Sequence, residues 1–499
     1  MALLERGANV LTIEEIKKFI DADSGSEKKR LAKIGQDYYE AEHDIKNYEL
    51  YYYNADGDLI KDETRSNIKI SHPFFTEIVD QAVQYILSGE DGYIRSDIPE
   101  LQSEMDSYFN ENEDFTAELT EVLAGCQTKG CDFMYAYKNE ENKTAFQSAD
   151  SLGVIEVRAK DTDSKAEHII YWYVDRIEKN SKEIKRIQVW DSEYVSFYVQ
   201  EGNGEIKVDD SEPNNPRPHT LYQEEGNDTI YYGTYGVIPF FRMDNNKKQT
   251  SSLKPIKEII DDYDLMACGL SNNLQDASEY LVVVSGFEGD NLDQLITNTK
   301  TKKHIGLAEG GAVEYKTVDI PYEARKTKLE LDEKNIYRFG MGLNTSGLKD
   351  SNATTNIGIK AAYSLLDLKC SKLIVKLKQF LRKLIKVVLV EINENNGTDY
   401  QLKDVYFKFQ PEIMSNELEN AQVEQANASK RETEINILLD IASYLDNETL
   451  MQLICEQLDI DYDEIKSKLP DPNEAENAIA TAQGALDNVP VTEVGVAVE

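Results

Sequence analysis

The residues best able to do chemistry in this chain of 499 residues are its carboxylates, and the tightest set is Asp261, Asp262 and Asp264. Grouped aspartates can hold magnesium for a nuclease. With 92 acidic residues in the chain such groups arise by chance, and this one lies in a stretch with helical apolar spacing, so a solvated helix face is expected. Asn54, Asp56, Gly57 and Glu63 fall on the third, fifth, sixth and twelfth positions of a calcium loop. Tyr52 stands where the first ligand should be, and the pattern reads instead as a hairpin turn. The histidines, His43, His72, His168, His219 and His304, form no H-E-x-x-H and no pair at metal-ligand spacing. Cys126 and Cys131 lack the second pair that a zinc site needs. There is no G-x-x-x-x-G-K-[ST], and G-x-S-x-G is absent. Gly340 and Gly342 follow a helical pattern, not a strand, so they are no dinucleotide fingerprint. The expectation is a protein without a catalytic site, metal or cofactor.

The elements that carry these residues are legible from their spacing. Thr12 with Glu15 makes a capping box before Ile13, Ile16, Phe19 and Ile20, and a second helix is expected through Leu31, Ile34, Tyr38, His43 and Ile45. Pro73 opens a helix with Phe75, Ile78, Val79, Ala82 and Ile86 on one face, stopping near Gly89. Helical patterns resume over 101–124. Residues 133–241 alternate short Tyr-, Val- and Ile-rich runs with turns, as an antiparallel sheet region does. A long helix follows, with Ser251 or Ser252 as its cap and Pro255 in its first turn. Strands are expected at 281–284, 305–307 and 312–315, around a short helix at 291–299. Pro321 starts a helix reaching Met341; 357–391 is the longest helical pattern; 402–409 reads as a strand; and helices continue beyond Pro411. The last stretch, 471–499, has no aromatic residue and is expected to be flexible. The class is α+β.

Composition excludes several functions. Lys and Arg total 54 against those 92 acids, a formal charge of −38, which opposes coating of nucleic acid by phosphate neutralisation. The longest apolar runs are about four residues, far short of the roughly twenty that span a membrane. No apolar segment follows a basic start, so no secretory signal is expected. Five scattered cysteines suit a reducing compartment.

Three stretches and their order resemble the portal proteins of tailed bacteriophages, the head-to-tail connectors, in particular those of long-tailed phages of Gram-positive hosts. Tyr38, Tyr39, His43 and Ile45 are similar to an early tyrosine–histidine helix of that family. Asn67, His72, Pro73, Asp80 and Tyr85 belong to a stretch that resembles the one before the family's leucine-x-glycine-x-proline ending, although Ser88, Gly89 and Glu90 lack the proline. Asn356, Lys360, Tyr363 and Cys370 resemble the start of the family's longest helix.

The resemblance implies a wing at 1–250 and 357–410, stem helices at 251–280 and 322–342, a clip at 281–321, a tunnel loop at 343–356, a crown at 411–470 and a flexible acidic tail at 471–499. It implies rings of twelve subunits at a capsid vertex of the virion, assembled in the host cytoplasm, with double-stranded DNA passing through. Terminase, major capsid and scaffolding proteins, and later head-completion or adaptor proteins, are the implied partners; no membrane is. The channel residues implied are Asn344, Thr345, Ser346, Gly347, Lys349, Asp350, Ser351 and Asn352. Gly347 gives backbone freedom there. Lys349 beside Asp350 could touch phosphate transiently, for about 1 kcal/mol or less.

One charge pattern stands against the acidic whole. Over 357–390 eight cations accompany the single carboxylate Asp367, and Lys369, Lys372, Lys376, Lys383 and Lys386 fall near one helical stripe. Two readings stay open, a solvated face or a contact with DNA or an acidic neighbouring subunit. Two rivals to the portal reading also stay open: an oligomeric capsid or scaffold protein that never meets DNA, and a metal-dependent nuclease built on Asp261, Asp262 and Asp264.

Overall fold

The computed structural model describes residues 11–458, apart from 55, 64, 90–91, 159–165, 178–181, 213, 224–228, 277–280, 288–306, 317–320, 346–355, 410–416 and 446. The expected helix at 291–299, the start of the strand at 305–307 and the tail at 471–499 lie outside the described residues. The chain divides into two units, Met1–Ser351 with Lys360–Ile413, and Asn352–Ile359 with Met414–Glu499.

The first unit begins with α1 (Ile13–Ser24) and α2 (Glu27–Tyr39); α2 stops short of the expected His43 and Ile45, because the chain turns at Ala41, at φ 59°, and Asp44–Asn47 winds into a separate 3-10 turn. The Thr12–Glu15 capping box is formed in both directions, and Ser26 caps α2. The hairpin β1 (Tyr51–Tyr53) and β2 (Leu59–Lys61) turns through Asn54, whose Oδ1 accepts the N–H groups of Asp56 and Asp58. The hairpin reading therefore holds. Next come α3 (Phe74–Leu87), β3 (Ile94–Arg95), α4 (Pro99–Met105) and α5 (Glu113–Lys129). The continuous 101–124 pattern is broken because Asn112 takes the N–H of Phe115 and starts a new helix. Gly130, at φ 94°, ends α5 in the left-handed conformation.

The sheet region is antiparallel as its alternation predicts. Its strands are β4 (Cys131–Lys138), β5 (Thr144–Ala149), β6 (Val154–Val157), β7 (His168–Ile177), β8 (Glu183–Trp190), β9 (Tyr194–Glu201), β10 (Ile206–Val208), β11 (Arg217–Pro218), β12 (Thr220–Gln223), β13 (Ile230–Gly233) and β14 (Phe240–Asp244). They order as β14-β4-β5, as β10-β9-β8-β7-β6 with β11 beside β9, and as the hairpin β12-β13. One core joins Ile16 of α1 to Ile155, Ile170, Ile187, Val189 and Tyr198 of the larger sheet. A second is built from Phe133, Val154, Ile169, Trp190, Val195 and Phe197.

Three helices follow: α6 (Lys257–Asp276), α7 (Tyr322–Gly340) and α8 (Asn356–Asn396), with the ladder of β15 (Leu281–Phe287) and β16 (Leu307–Lys316) between the first two. Neither Ser251 nor Ser252 caps α6, contrary to expectation. The Ser252 N–H and the Ser251 hydroxyl both donate to the Gln127 carbonyl at the end of α5, and turns carry the chain past Pro255 to Lys257. The strand expected over 402–409 shrinks to β17 (Tyr406–Phe407), paired with β3, because 402–404 winds into a short 3-10 turn. α8 is 41 residues long, about 60 Å of helix. Leu366, Cys370, Leu373, Leu377, Leu381, Leu384, Val388 and Ile392 form its buried stripe. The second unit contains α9 (Glu417–Asp440) and α10 (Asn447–Leu458). Among the described residues no helix is long and apolar enough to cross a membrane.

Candidate functional site

The aspartates of α6 do not act together. Asp261 accepts from the Tyr38 hydroxyl and, at 2.8 Å, from Lys257; Asp262 pairs with Lys328 of α7. Asp264 turns inward and is fully buried, which corrects the expectation of a solvated face for the whole set. Its Oδ2 lies 2.6 Å from Nδ1 of His43, and its Oδ1 lies 2.7 Å from Nδ1 of His72 and 3.1 Å from the His72 backbone nitrogen. Burial pushes its pKa up, but the hydrogen bonds from His43 and His72 outweigh this and hold it below the ordinary carboxylate value. The three carboxylates thus point to three different partners and present no shared face to a magnesium ion.

The His72 contact is one rung of a ladder. The N–H groups of Ser66, Ile68, Ile70 and His72 reach Asp276 Oδ1, Asn272 Oδ1, Cys268 Sγ and Asp264 Oδ1 at 3.2, 2.7, 3.2 and 3.1 Å. Two extended residues advance about 6.6 Å and four helical residues about 6.0 Å, so an extended strap can stay in step with one helix face for this length. The strap runs antiparallel to α6 and fixes it to the α2–α3 region. The signal in the sequence was the polar row at 264, 268, 272 and 276 beside an apolar stripe; its partners lie about two hundred residues away.

α6 is braced by α7 through the Lys328–Asp262 pair, with Lys328 held in place by Asp332 one turn further along α7. At the end of α7 the backbone passes tightly over α3. A Cβ on Gly340 would stand 2.8 Å from Ile78 Cδ1, and one on Gly342 would stand 2.7 Å from Ile78 Cγ1. Those two glycines are therefore packing glycines. Met341 between them takes φ 56°. Gln81 of α3 then holds Leu343, which is buried. Asn344 donates to Glu333 Oε1 at 3.2 Å, and Thr345 is exposed. Of the other residues expected in the tunnel loop, Ser346, Gly347, Lys349, Asp350, Ser351 and Asn352 lie outside the described residues.

The lysine stripe of α8 divides. Lys372 and Lys386 are exposed and Lys376 is half-buried. Lys369 turns its ammonium to the Ile78 carbonyl at 3.4 Å, and burial pulls its pKa down to about 8. Lys383 is exposed along its length, but its ammonium donates to the Arg242 carbonyl; burial of that end, and then the Arg242 charge, lower its pKa. A wholly solvated face is thus not what this stripe forms.

Comparison with known proteins gives the chain its relatives. The family model described as "Phage portal protein, SPP1 Gp6-like" matches residues 17–460. The portal protein of Bacillus phage SPP1 is 26% identical over 351 residues, covering 70% of this chain and 67% of that protein. The portal protein of Clostridium phage phiCD119 is 24% identical over 428 residues, covering 83% of this chain and 89% of that protein. A solved chain from the neck of a native GTA particle, computed with C12 symmetry, covers 77% of this chain and 89% of its own at a TM-score of 0.38 and 12% identity, too distant a likeness to carry an argument. With the family pattern running through both the helices around Asp264 and the long helix α8, this chain belongs to the SPP1 Gp6-like family of phage portal proteins.

Proposed function

We propose that this portal protein works as one subunit of a ring, twelve copies in the virion, through which double-stranded DNA is packaged and later ejected. The observation that carries the reading is the family match over residues 17–460. In this reading α6 and α7 are stem helices, the β15–β16 ladder belongs to the clip, the residues after Leu343 form the tunnel loop, and 411–470 is the crown. Terminase docks first, tail adaptors later, and capsid and scaffolding proteins surround the ring. The site is a capsid vertex, filled during assembly in the host cytoplasm.

The charge supports this reading physically. Each chain contributes −38, so a ring wall gives phosphate few cations to displace its counterions and no deep well in which to stop. Membership of the portal family points to a structural protein, and the proposal includes that the ring neither hydrolyses ATP nor cuts DNA. Electron microscopy and native mass spectrometry of the purified chain test it. A ring of about twelve chains with a hole wide enough for a duplex is expected. A stable monomer at micromolar concentration overturns the reading, as does ATPase or nuclease turnover that disappears on a point substitution in this chain.

A further inference from the structure

Among the described residues no layer covers the β1–β2 hairpin. All six strand residues are exposed, with Tyr53 at 73% and Leu59 at 58%, alongside Tyr51, Tyr52 and Ile60. A lone two-stranded ladder is marginal in water, and an exposed row of tyrosines is the composition of an interface, not of a solvated turn. Its tip carries Asp56 and Asp58 with no cation from Asn54 to Ile60.

A matching surface exists on the same molecule, at the same level. The strap that follows the hairpin starts its ladder at Asp276, so the hairpin leaves the body at the C-terminal end of α6. The N-terminal end of α7 lies there too: a Cβ on Gly269 of α6 would stand 3.3 Å from Arg325 Nη1. This end exposes Leu274 and Tyr322. Arg325 and Lys326 stand at this end; Lys326 reaches Glu330 only at 4.0 Å, whereas Lys328 is already paired with Asp262 and Asp332. Rotation about a ring axis carries every residue to its own level on the next subunit. A hairpin at the Asp276 end of one copy therefore shares its level with the Asp276 end of the next.

We infer that the β1–β2 hairpin of each subunit docks on the paired ends of α6 and α7 of an adjacent copy, its tyrosines against Leu274 and Tyr322 and its acidic tip against Arg325 and Lys326. The inference rests on the ring reading above. It is a head-to-tail contact, in which each copy offers two different patches, and such contacts close into rings when the rotation closes. The charge match fixes register and speeds assembly, while the tyrosines supply the desolvated area.

Two measurements test it on the full chain. The natural cysteines, Cys126, Cys131, Cys268, Cys370 and Cys455, are all buried, so an engineered pair reacts over a low background. Tyr53→Cys with Tyr322→Cys, oxidised in the assembled ring, should give a ladder of chain multiples on a non-reducing gel. Asp56→Lys with Asp58→Lys should lower the ring population about tenfold, as should Arg325→Glu with Lys326→Glu, and combining all four should restore it. Among the described residues the hairpin turn takes the backbone N–H groups of Asp56 and Asp58 to Asn54, so the tip substitutions keep these bonds. Rings of the Tyr53→Cys, Tyr322→Cys chain that give no ladder, or reversed charges whose combination rescues nothing, overturn the docking while leaving the ring reading intact. A wild-type chain that stays monomeric overturns the ring reading and the docking with it.

Discussion

Gln81 holds Leu343 from both sides: its Nε2 donates to the Leu343 carbonyl at 2.9 Å, and its Oε1 accepts the Leu343 N–H at 2.8 Å. One amide side chain thus satisfies both backbone groups of a buried residue at the point where α7 gives way to the segment read as the tunnel loop. Replacing Gln81 by Leu keeps the volume and leaves both groups without partners, at a cost of about 1–3 kcal/mol. Urea unfolding should register that loss, and amide exchange at Leu343 should accelerate. Unchanged exchange would mean that the glycine contacts with Ile78 suffice to hold the segment.

Asp264 makes stability depend on acid. Its folded pKa lies below the ordinary value of 3.8, so on acidification the unfolded chain takes up the proton first. The contribution is complete above about pH 4 and fades as the pH falls through the lower folded value. Asp264→Asn should flatten this acid limb in a series of urea midpoints. Asp264→Leu should destabilise by about 3 kcal/mol or more at neutral pH, since it strands the buried His43 and removes the partner of the half-buried His72. A variant with the wild-type acid limb would remove Asp264 from the account.

Lys369 works in the opposite sense. An unfolded lysine keeps its proton up to about 10.5, whereas burial makes the folded one release it near 8. Between these values the unfolded chain binds more protons, so stability from this group rises with pH. Lys369→Met should therefore stabilise the chain at neutral pH, and its advantage should vanish as the pH nears the unfolded value. Denaturation midpoints at about pH 7 and about pH 10 check the sign. A destabilised Lys369→Met ring would instead point to a counter-charge on the neighbouring copy.

The crossing of α2 over α5 depends on a missing side chain. A Cβ on Gly35 would stand 1.9 Å from the Thr128 carbonyl oxygen, a backbone atom that cannot swing aside. Gly35→Ala should destabilise by about 1–3 kcal/mol or prevent folding, read as a lowered thermal midpoint. A neutral result would require the two helices to separate without loss.

Replacing 346–354 by a short Gly-Ser linker tests the tunnel loop. Rings of normal size that package DNA poorly or leak it are expected, because the anchoring through Leu343 and Asn344 is left in place. Full packaging and retention by such rings would make the segment a connector only.

The sequence determined whatever is written in short-range spacing. The Thr12–Glu15 box, the buried face of α3, the alternation of β4 to β14 and the repeated apolar positions of α8 each follow from neighbours three, four or two residues away. The order of these elements was enough to point to the portal family. Tertiary structure decided what identical side chains do. Asp261, Asp262 and Asp264 are the same residue type within one helical turn, yet only Asp264 is fully buried, because His43 and His72 reach it across 221 and 192 residues of chain. Lys369 and Lys372 read alike in one stripe, yet one amine faces the Ile78 carbonyl and the other water. Ser251 and Ser252 had the composition of a cap, but both are tied to the Gln127 carbonyl of α5 ahead of the helix start at Lys257, and the Ser251 Oγ accepts the Leu253 N–H within a turn. In each case the deciding partner is distant in sequence, and desolvation, which sets the energy of a charge or a donor, depends on the packing that folding brings around it.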